Sequence, residues 1–263
     1  MHFGGDFMIL LFTPNNTASL NIAEKLIERH GFEKTGEKEW ERGGNRLIET
    51  GAPTILDVPT GFDTDLILVL STHRSRGGKK MLTAHFPGNW DEAKFGGEPR
   101  TLNTAYASRL KTMIRELENA NTLDWPVYIE ADHHGPTCKA PIMFVEIGST
   151  GEEWKNQEAG RIVAQAVSEF LKKNETYEAV LGVGGGHYSR EFTKLVLESS
   201  LAVGHIAPKY AIEGIAEDTF RQAVQKTVEP VKKVLILKKE TNSSQKKKIA
   251  GLAERFGLET GLV

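Results

Sequence analysis

The sequence predicts an α/β protein in three layers, a mixed or mostly parallel sheet with helices on both faces. Three observations carry this. Short apolar runs such as FMILLF at 7–12 and DLILVL at 65–70 have the length of buried strands. Amphipathic segments of helical length separate many of these runs, as crossover connections between parallel strands require. No internal repeat and no Pro/Ser-rich linker interrupts the alternation, so residues 1–263 are expected to form one domain.

The elements follow in order. After the strand at 7–12, a helix is expected over 16–30, stopped by Gly31. Residues 33–50 are polar with Trp40 and Ile48 interleaved, and suggest a short β-hairpin around 42–45. A buried strand over 65–70 leads into a basic loop at 71–80 and a strand at 81–86. Residues 87–103 form a long loop rich in Gly and Pro, a feature that is usually functional or mobile inside a compact domain. Then come a helix over 104–119, strands at 127–131 and 142–147, and a long helix over 152–173. A strand at 179–183, a helix at 189–199, a strand at 202–206, a helix at 218–227, a strand at 234–237 and a helix at 244–256 complete the pattern.

Composition narrows the function classes. Hydrophobic residues make up 39% and charged residues 26%, which argues against extended disorder. The net charge of −2 excludes a global basic field, so a nucleic acid would have to be met by a local patch. Cys138 is the only cysteine, which excludes an internal disulfide and fits a reducing cytoplasm. It is expected to be structural. No apolar run approaches the ~20 residues that span a bilayer, so no membrane partner is expected. The N-terminus lacks a basic n-region and a small-residue cleavage site, and is not read as a signal peptide. Residues 1–6 look like an extra leader, and Met8 offers an alternative start.

Histidines mark the chemistry. In open α/β sheets the ligand site lies outside the carboxyl ends of the strands. His85, His134 and His187 are expected there, with Glu146 near the end of its own strand and His205 near the end of another. Imidazole is a common zinc ligand, and three ligands with an open position suit a metal that activates water. His85, His134 and His187 are therefore the expected metal ligands and catalytic residues. Glu146 or Glu130 remains as a carboxylate to act as base or to orient a histidine. In DHHGP at 132–136, adjacent side chains on extended backbone point to opposite faces, so only one histidine should face the site, and His134 is favoured.

GVGGGHYSRE at 182–191 places three glycines between a strand and a helix. Gly184, Gly185 and Gly186 would permit close backbone approach to an anion at the helix N-terminus, with Ser189 as N-cap and Arg190 as anion clamp. In HFPGNW at 85–90, Phe86 and Trp90 would stack on a base or line an amino-acid pocket, and Asn89 would donate to an oxyanion. The loop at 71–80 carries His73 with Arg74, Arg76, Lys79 and Lys80, a patch able to guide a polyanion. The C-terminal lysines are read as a solvated face. The residues alone leave open a metallohydrolase, a nucleoside phosphorylase-like enzyme using the glycine turn for phosphate, and a non-catalytic tRNA-binding module.

HFPGNW at 85–90, EPRTLNTA at 98–105, ADHHGP at 131–136, FVEIGST at 144–150 and GVGGGHYSREFT at 182–193 resemble the D-aminoacyl-tRNA deacylase family of the archaeal and plant type. The similarity extends over essentially the whole chain. The resemblance implies hydrolysis of the ester joining a D-amino acid to the 3′ end of tRNA, a zinc cofactor and a cytoplasmic setting. It also implies an architecture like that of phosphorylase/hydrolase and peptidyl-tRNA hydrolase proteins. A monomer is expected.

Overall fold

The structure, a computed structural model, describes residues 7–59 and 61–263, and the expected leader lies outside them. The first half contains β1 (Ile9–Phe12), α1 (Thr17–Arg29), β2 (Glu33–Gly36), β3 (Glu39–Arg42), β4 (Asn45–Glu49), β5 (Ile67–Arg74), β6 (Met81–His85), β7 (Gly88–Asn89), β8 (Thr101–Leu102), α2 (Ala107–Ala120) and β9 (Val127–Ile129). The second half contains β10 (Ile142–Ser149), α3 (Gly151–Lys155), α4 (Gln157–Phe170), β11 (Glu178–Val183), α5 (Arg190–Glu198), β12 (Leu201–Ala207), α6 (Glu217–Gln225), β13 (Lys233–Ile236), α7 (Ser243–Arg255) and β14 (Glu259–Leu262).

The strands form two main sheets where one was expected. The larger is mixed, in the order β2-β3-β4-β1-β5-β10-β6-β9. β10 inserts between β5 and β6, parallel to the first and antiparallel to the second. The smaller sheet, β12-β11-β13-β14, is parallel throughout. β6 already occupies one edge of β10 and β9 covers β6, so the strands that follow α4 pair among themselves. β7 and β8 form a small ribbon inside the expected 87–103 loop.

Helices cover both faces of the small sheet but only one face of the large one. In the large sheet Leu10, Leu68, Met143 and Val145 pack in one cluster with Ile22, Met113 and Val163 from α1, α2 and α4. Ile9, Leu11, Ile67, Val69, Ile142 and Phe144 face the other way, against Val58, Ile55 and Phe62 in the 50–66 connection. Strict alternation along each strand produces the two faces. The second face carries loops because its continuation, described below, is polar.

Other differences have local causes. β5 continues through Arg74, into the expected basic loop, because it pairs with β10 up to Ser149. The expected hairpin at 33–50 is a three-stranded meander. The helix expected over 152–173 breaks at Asn156, whose side chain caps Ala159 N–H while Asn21 donates to the Trp154 and Asn156 carbonyls. β14 was not expected, since its sequence is polar and it forms an exposed edge. Among the described residues, no helix is long and apolar enough to cross a membrane.

α2 joins the sheets. It packs on β6 and β9 of the large sheet and on β11 and β12 of the small one. Its first turn is capped from far along the chain, since the Glu229 carboxylate accepts from Ala107 N–H at 3.0 Å and Ser108 N–H at 2.7 Å. Lys111 is buried, and its ammonium donates to the carbonyls of Val196, Ser199 and Leu201 at 2.7, 2.6 and 2.9 Å. One side chain thus closes the end of α5 and holds α2 to the start of β12. Replacing it by methionine strands three carbonyls. Lys111→Met is expected to lower the unfolding free energy by about 3 kcal/mol, read from urea denaturation.

Candidate active site

Five histidines and two glutamates meet between the two sheets. His73 on β5, His85 on β6 and Glu146 on β10 project from the helix-free face of the large sheet. The register fixes their neighbourhood: His85 lies opposite Phe144, Glu146 opposite Thr83 and Ser71, and His73 opposite Gly148. Gly148 makes room for the imidazole, since a Cβ there would lie 2.9 Å from His73 Cβ. Glu130 follows β9 and bridges to Tyr188, and His187 arrives from the turn after β11.

The expected placement at strand carboxyl ends holds for His85 and His187. It does not hold for Glu146, which sits in mid-strand. β6 runs against β10, so the end of one strand lies beside the middle of the other, and the cluster spreads over the sheet face. His73, expected only as part of a basic loop, belongs to the cluster. The signal was the alternation Ile67, Val69, Ser71, His73, all on the Glu146 side. His205 does not join the cluster; it is buried in β12 against Asp132.

Both histidines of the 133–134 pair face the site, correcting the expectation that only His134 would. Their rings lie 4.4 and 4.9 Å from that of His85. The alternation rule assumes extended backbone, whereas His134 has φ of 48°, in the left-handed region. That turn brings two successive imidazoles to one side.

Backbone carbonyls fix the rings. Nδ1 of His85, His133 and His134 meets the carbonyls of Phe86, Ala131 and Gly135, respectively. With Nδ1–H donating there, Nε2 carries the free lone pair in His133 and His134, and in His85 once that ring gives up its proton. Glu130 lies 2.6 Å from His187 Nε2, 3.1 Å from His73 Nδ1 and 3.5 Å from His133 Nε2. Glu146 lies 3.7 Å from His73 Nδ1 and 3.8 Å from His85 Nε2. Tyr188 Oη closes the far side of His73, at 2.7 Å from Nε2.

The electrostatics divide the imidazoles. Burial works to lower His73, but Glu130 and Glu146 outweigh it and raise its pKa to about 11. Burial likewise opposes a charged His85, and Glu146 and Glu130 raise it. Burial lowers His134 to about 4, with the positive charge of His85 adding to it. The same two causes hold His133 well below its ordinary value. Burial opposes the ionised carboxylates too, yet His187 and His73 hold Glu130 well below the usual range, and His73 and His85 hold Glu146 below it.

The donor set fits a divalent cation. His85, His133 and His134 offer three nitrogens within 4.8 Å of one another, and His73, Glu130 and His187 form a second such group. His85 Nε2 and both oxygens of Glu130 are buried without a hydrogen-bond partner, although nitrogens approach the carboxylate closely. Atoms that converge at short distance without hydrogen-bond alignment suit a shared cation, and nitrogen with carboxylate oxygen is a donor set zinc accepts. The expected ligands His85, His134 and His187 divide between the two groups.

A cavity of about 300 Å³ opens onto His133, His134 and His187. Its other walls include Asn89, Trp90, Asp132 and Ala211, with Phe95 and Tyr210 at 68% and 65% exposure. These are the aromatics available to a ligand. Phe86, expected to stack, is buried in the main core. Trp90 reaches the wall but is buried, its indole N–H donating to Ile206 carbonyl. The Asn89 amide donates to the carbonyls of Gly96 and Glu98, so it shapes the loop and is not free for an oxyanion.

The glycine turn is a packing device. Gly184 has φ of 111°, and its N–H donates to Ala207 carbonyl, inside the fold. A Cβ on Gly184 would lie 3.0 Å from Leu237 Cβ, and one on Gly185 3.1 Å from Leu237 Cδ1. Gly186 is exposed with open space beside it. Ser189 takes the N-cap position of α5, but its buried hydroxyl makes no capping bond. Arg190 lies over the Tyr128 ring at 5.5 Å instead of turning to the glycines. Arg74, Arg76, Lys79 and Lys80 are exposed as expected, with Arg74 over Trp154 and Lys80 over Trp125.

The depressed histidines give a signed pH dependence. The unfolded chain takes up protons near pH 6.5 that folded His134 refuses until about pH 4, so stability falls as pH drops through that window. His73 and His85 are charged in both states there and contribute no slope. Metal-free protein should lose about 1.4 kcal/mol per pH unit for each depressed histidine, and His134→Gln should flatten the profile, read from urea denaturation in chelator.

A D-aminoacyl-tRNA deacylase family model matches residues 60–261. The D-aminoacyl-tRNA deacylase of Pyrococcus furiosus is 34% identical over 265 residues, covering 95% of this chain and 98% of that protein. That of Ignicoccus hospitalis is 37% identical over 199 residues, covering 76% and 81%. The crystal structure of a conserved protein of unknown function is similar throughout, with a TM-score of 0.89 at 29% identity over 98% of this chain and 95% of that one. With a match over most of its length and relatives that align nearly end to end, the chain belongs to the D-aminoacyl-tRNA deacylase family.

Proposed function

We propose that this chain hydrolyses the ester between a D-amino acid and the 3′ end of tRNA, releasing both. The carrying observation is a cluster of five imidazoles and two buried carboxylates, three of whose imidazoles line one cavity, in a chain of this family. Water attacks the ester carbonyl and yields its proton to a free imidazole Nε2. The bond to the ribose oxygen then breaks, and that oxygen takes a proton back. His134 and His133 suit the first transfer, because both stay unprotonated at neutral pH. His187 reaches both the cavity and Glu130, which places it to return the proton.

We propose zinc as the cofactor, held either by His85, His133 and His134, which leaves His187 to carry the proton in both directions, or by His73, Glu130 and His187, which leaves His133 and His134 to do so. When bound, it supplies Lewis acidity toward the carbonyl and a more acidic water. Carbonyl anchoring of Nδ1 on three rings keeps Nε2 directed inward in either case.

Arg74, Arg76, Lys79 and Lys80 are proposed to meet the tRNA backbone, with Arg74 next in sequence to His73. The single-domain reading is supported by a cavity lined by residues that follow β9 and β12, at Asp132–His134 and at Pro208, Tyr210 and Ala211, and a monomer is proposed with it. The α/β layering with a large mixed sheet supports the likeness to peptidyl-tRNA hydrolase architecture. A cytoplasmic setting follows from the tRNA substrate. The phosphorylase reading loses its main support, because the Gly184 amide is bonded within the fold.

Purified protein should deacylate D-aminoacyl-tRNA and spare the L form, followed by release of labelled amino acid. Inertness toward both would overturn the proposal. Chelation should abolish turnover and zinc restore it, with stoichiometric zinc by elemental analysis. Reversing Lys79 and Lys80 to glutamate should raise KM and leave kcat unchanged. It should also reduce the salt dependence of kcat/KM by a slope of about one for each phosphate that the variant no longer neutralises.

A further inference from the structure

Asp132 is not needed by the chemistry above. Among the described residues it is the one buried carboxylate on the cavity wall, since Asp91 and Glu92 are exposed at the rim. Its oxygens are held in place: Oδ2 accepts from His205 Nδ1 at 2.8 Å, and Oδ1 accepts from Ile206 N–H at 3.2 Å. Its own N–H donates to Ile206 carbonyl. His205 is buried beside Phe86 and Trp90, and its Nε2 has no partner. The carboxylate is thus fixed in position from two sides, by a side chain and by a backbone amide of β12. A carboxylate accepts up to about four hydrogen bonds, and Asp132 accepts two within the fold, which leaves capacity for a donor in the cavity it lines.

The position matters as much as the charge. Asp132 precedes His133, which stands at the hydrolytic end of the cavity. In an aminoacyl ester the amino nitrogen is two bonds from the carbonyl carbon. A group that recognises the amine must therefore stand beside the groups that handle the carbonyl. Glu130 and Glu146 are unsuited to this, being enclosed by histidines.

We infer that Asp132, held by His205, binds the α-ammonium group of the aminoacyl ester. This rests on the deacylase reading above and deepens it. With carbonyl and ammonium both anchored, the substituent on Cα has one direction left for each hand of the amino acid, so the anchor contributes to stereoselection. The same tRNA can also be charged with an α-hydroxy acid, which replaces the ammonium by a hydroxyl of similar size.

The test compares kcat/KM for D-phenylalanyl-tRNA and D-phenyllactyl-tRNA, each corrected for spontaneous hydrolysis. The wild-type, metal-loaded protein is expected to favour the amine by about tenfold or more, the scale of one charge-assisted hydrogen bond. Asp132→Asn should bring the two esters close to parity, chiefly by raising KM for the aminoacyl ester, with thermal melting confirming a folded protein. Where that variant does not fold, His205→Gln leaves the carboxylate in place but loosens it, and should also reduce the preference. Equal wild-type rates on the two esters, or a preference that survives both substitutions, would overturn the inference and leave the deacylase reading intact. Hydrolysis of neither ester by the wild type would remove both.

Discussion

Glu130 and Glu146 are buried, and an ionised carboxylate taken out of water costs several kcal/mol unless cations or strong donors surround it. Much of the local structure answers that requirement. His73 stands between the two carboxylates, His85 approaches Glu146, and His187 and His133 approach Glu130. The imidazoles cannot all carry charge, because those nearest the carboxylates repel protons from the others. The outcome is a gradient, from His73 and His85, which the carboxylates raise, to His133 and His134 at the cavity wall, which burial and the charge of His85 lower. A group able to accept a proton at neutral pH is thereby set against a reservoir of positive charge.

The scaffold supports this from both sides. The helix-free face of the large sheet presents His73, His85 and Glu146 from adjacent strands, so their spacing inherits the rigidity of the ladder. The small sheet brings His187 and the Asp132–His205 contact. α2 packs on both sheets, with its N-terminus capped by Glu229 and Lys111 bonded to three carbonyls near β12. Trp90 adds a tie at the cavity itself, linking the HFPGNW turn to β12 through Ile206.

The alternation of strands and helices was legible in the sequence because apolar period and length report burial directly. Strand order was not, since the insertion of β10 between β5 and β6 is a non-local pairing that no local pattern encodes. The polar end of β5 read as a loop because Ser71 and His73 cover a site instead of a core. His85, His134, Glu146 and His187 were legible as residue types in unusual turns, and Glu130 was visible in EADHHGP as an alternative carboxylate. The joint orientation of His133 and His134 depends on a left-handed backbone at a non-glycine residue, which residue type does not announce. The aromatic residues were legible only in part: Trp90 lines the cavity as expected, while Phe86 lies in the core. Phe86 and Trp90 pack inward, while Phe95 and Tyr210 stay exposed, and hydrophobicity alone does not separate them.

The loops over the helix-free face have a consequence for how such a protein changes over time. Had helices covered both faces, altering the ligand's surroundings would have meant repacking the core. Here Ile55, Val58 and Phe62 lie over that face, and Gly96 and Gly97 lie against Ile55 and Gly135, outside the strand ladder. Phe95 is exposed, and its carbonyl accepts from Gly135 N–H. Insertions or substitutions there can redraw the cavity mouth while the imidazoles and carboxylates stay on their strands. The division lets substrate range drift under selection at little risk to the hydrolytic machinery.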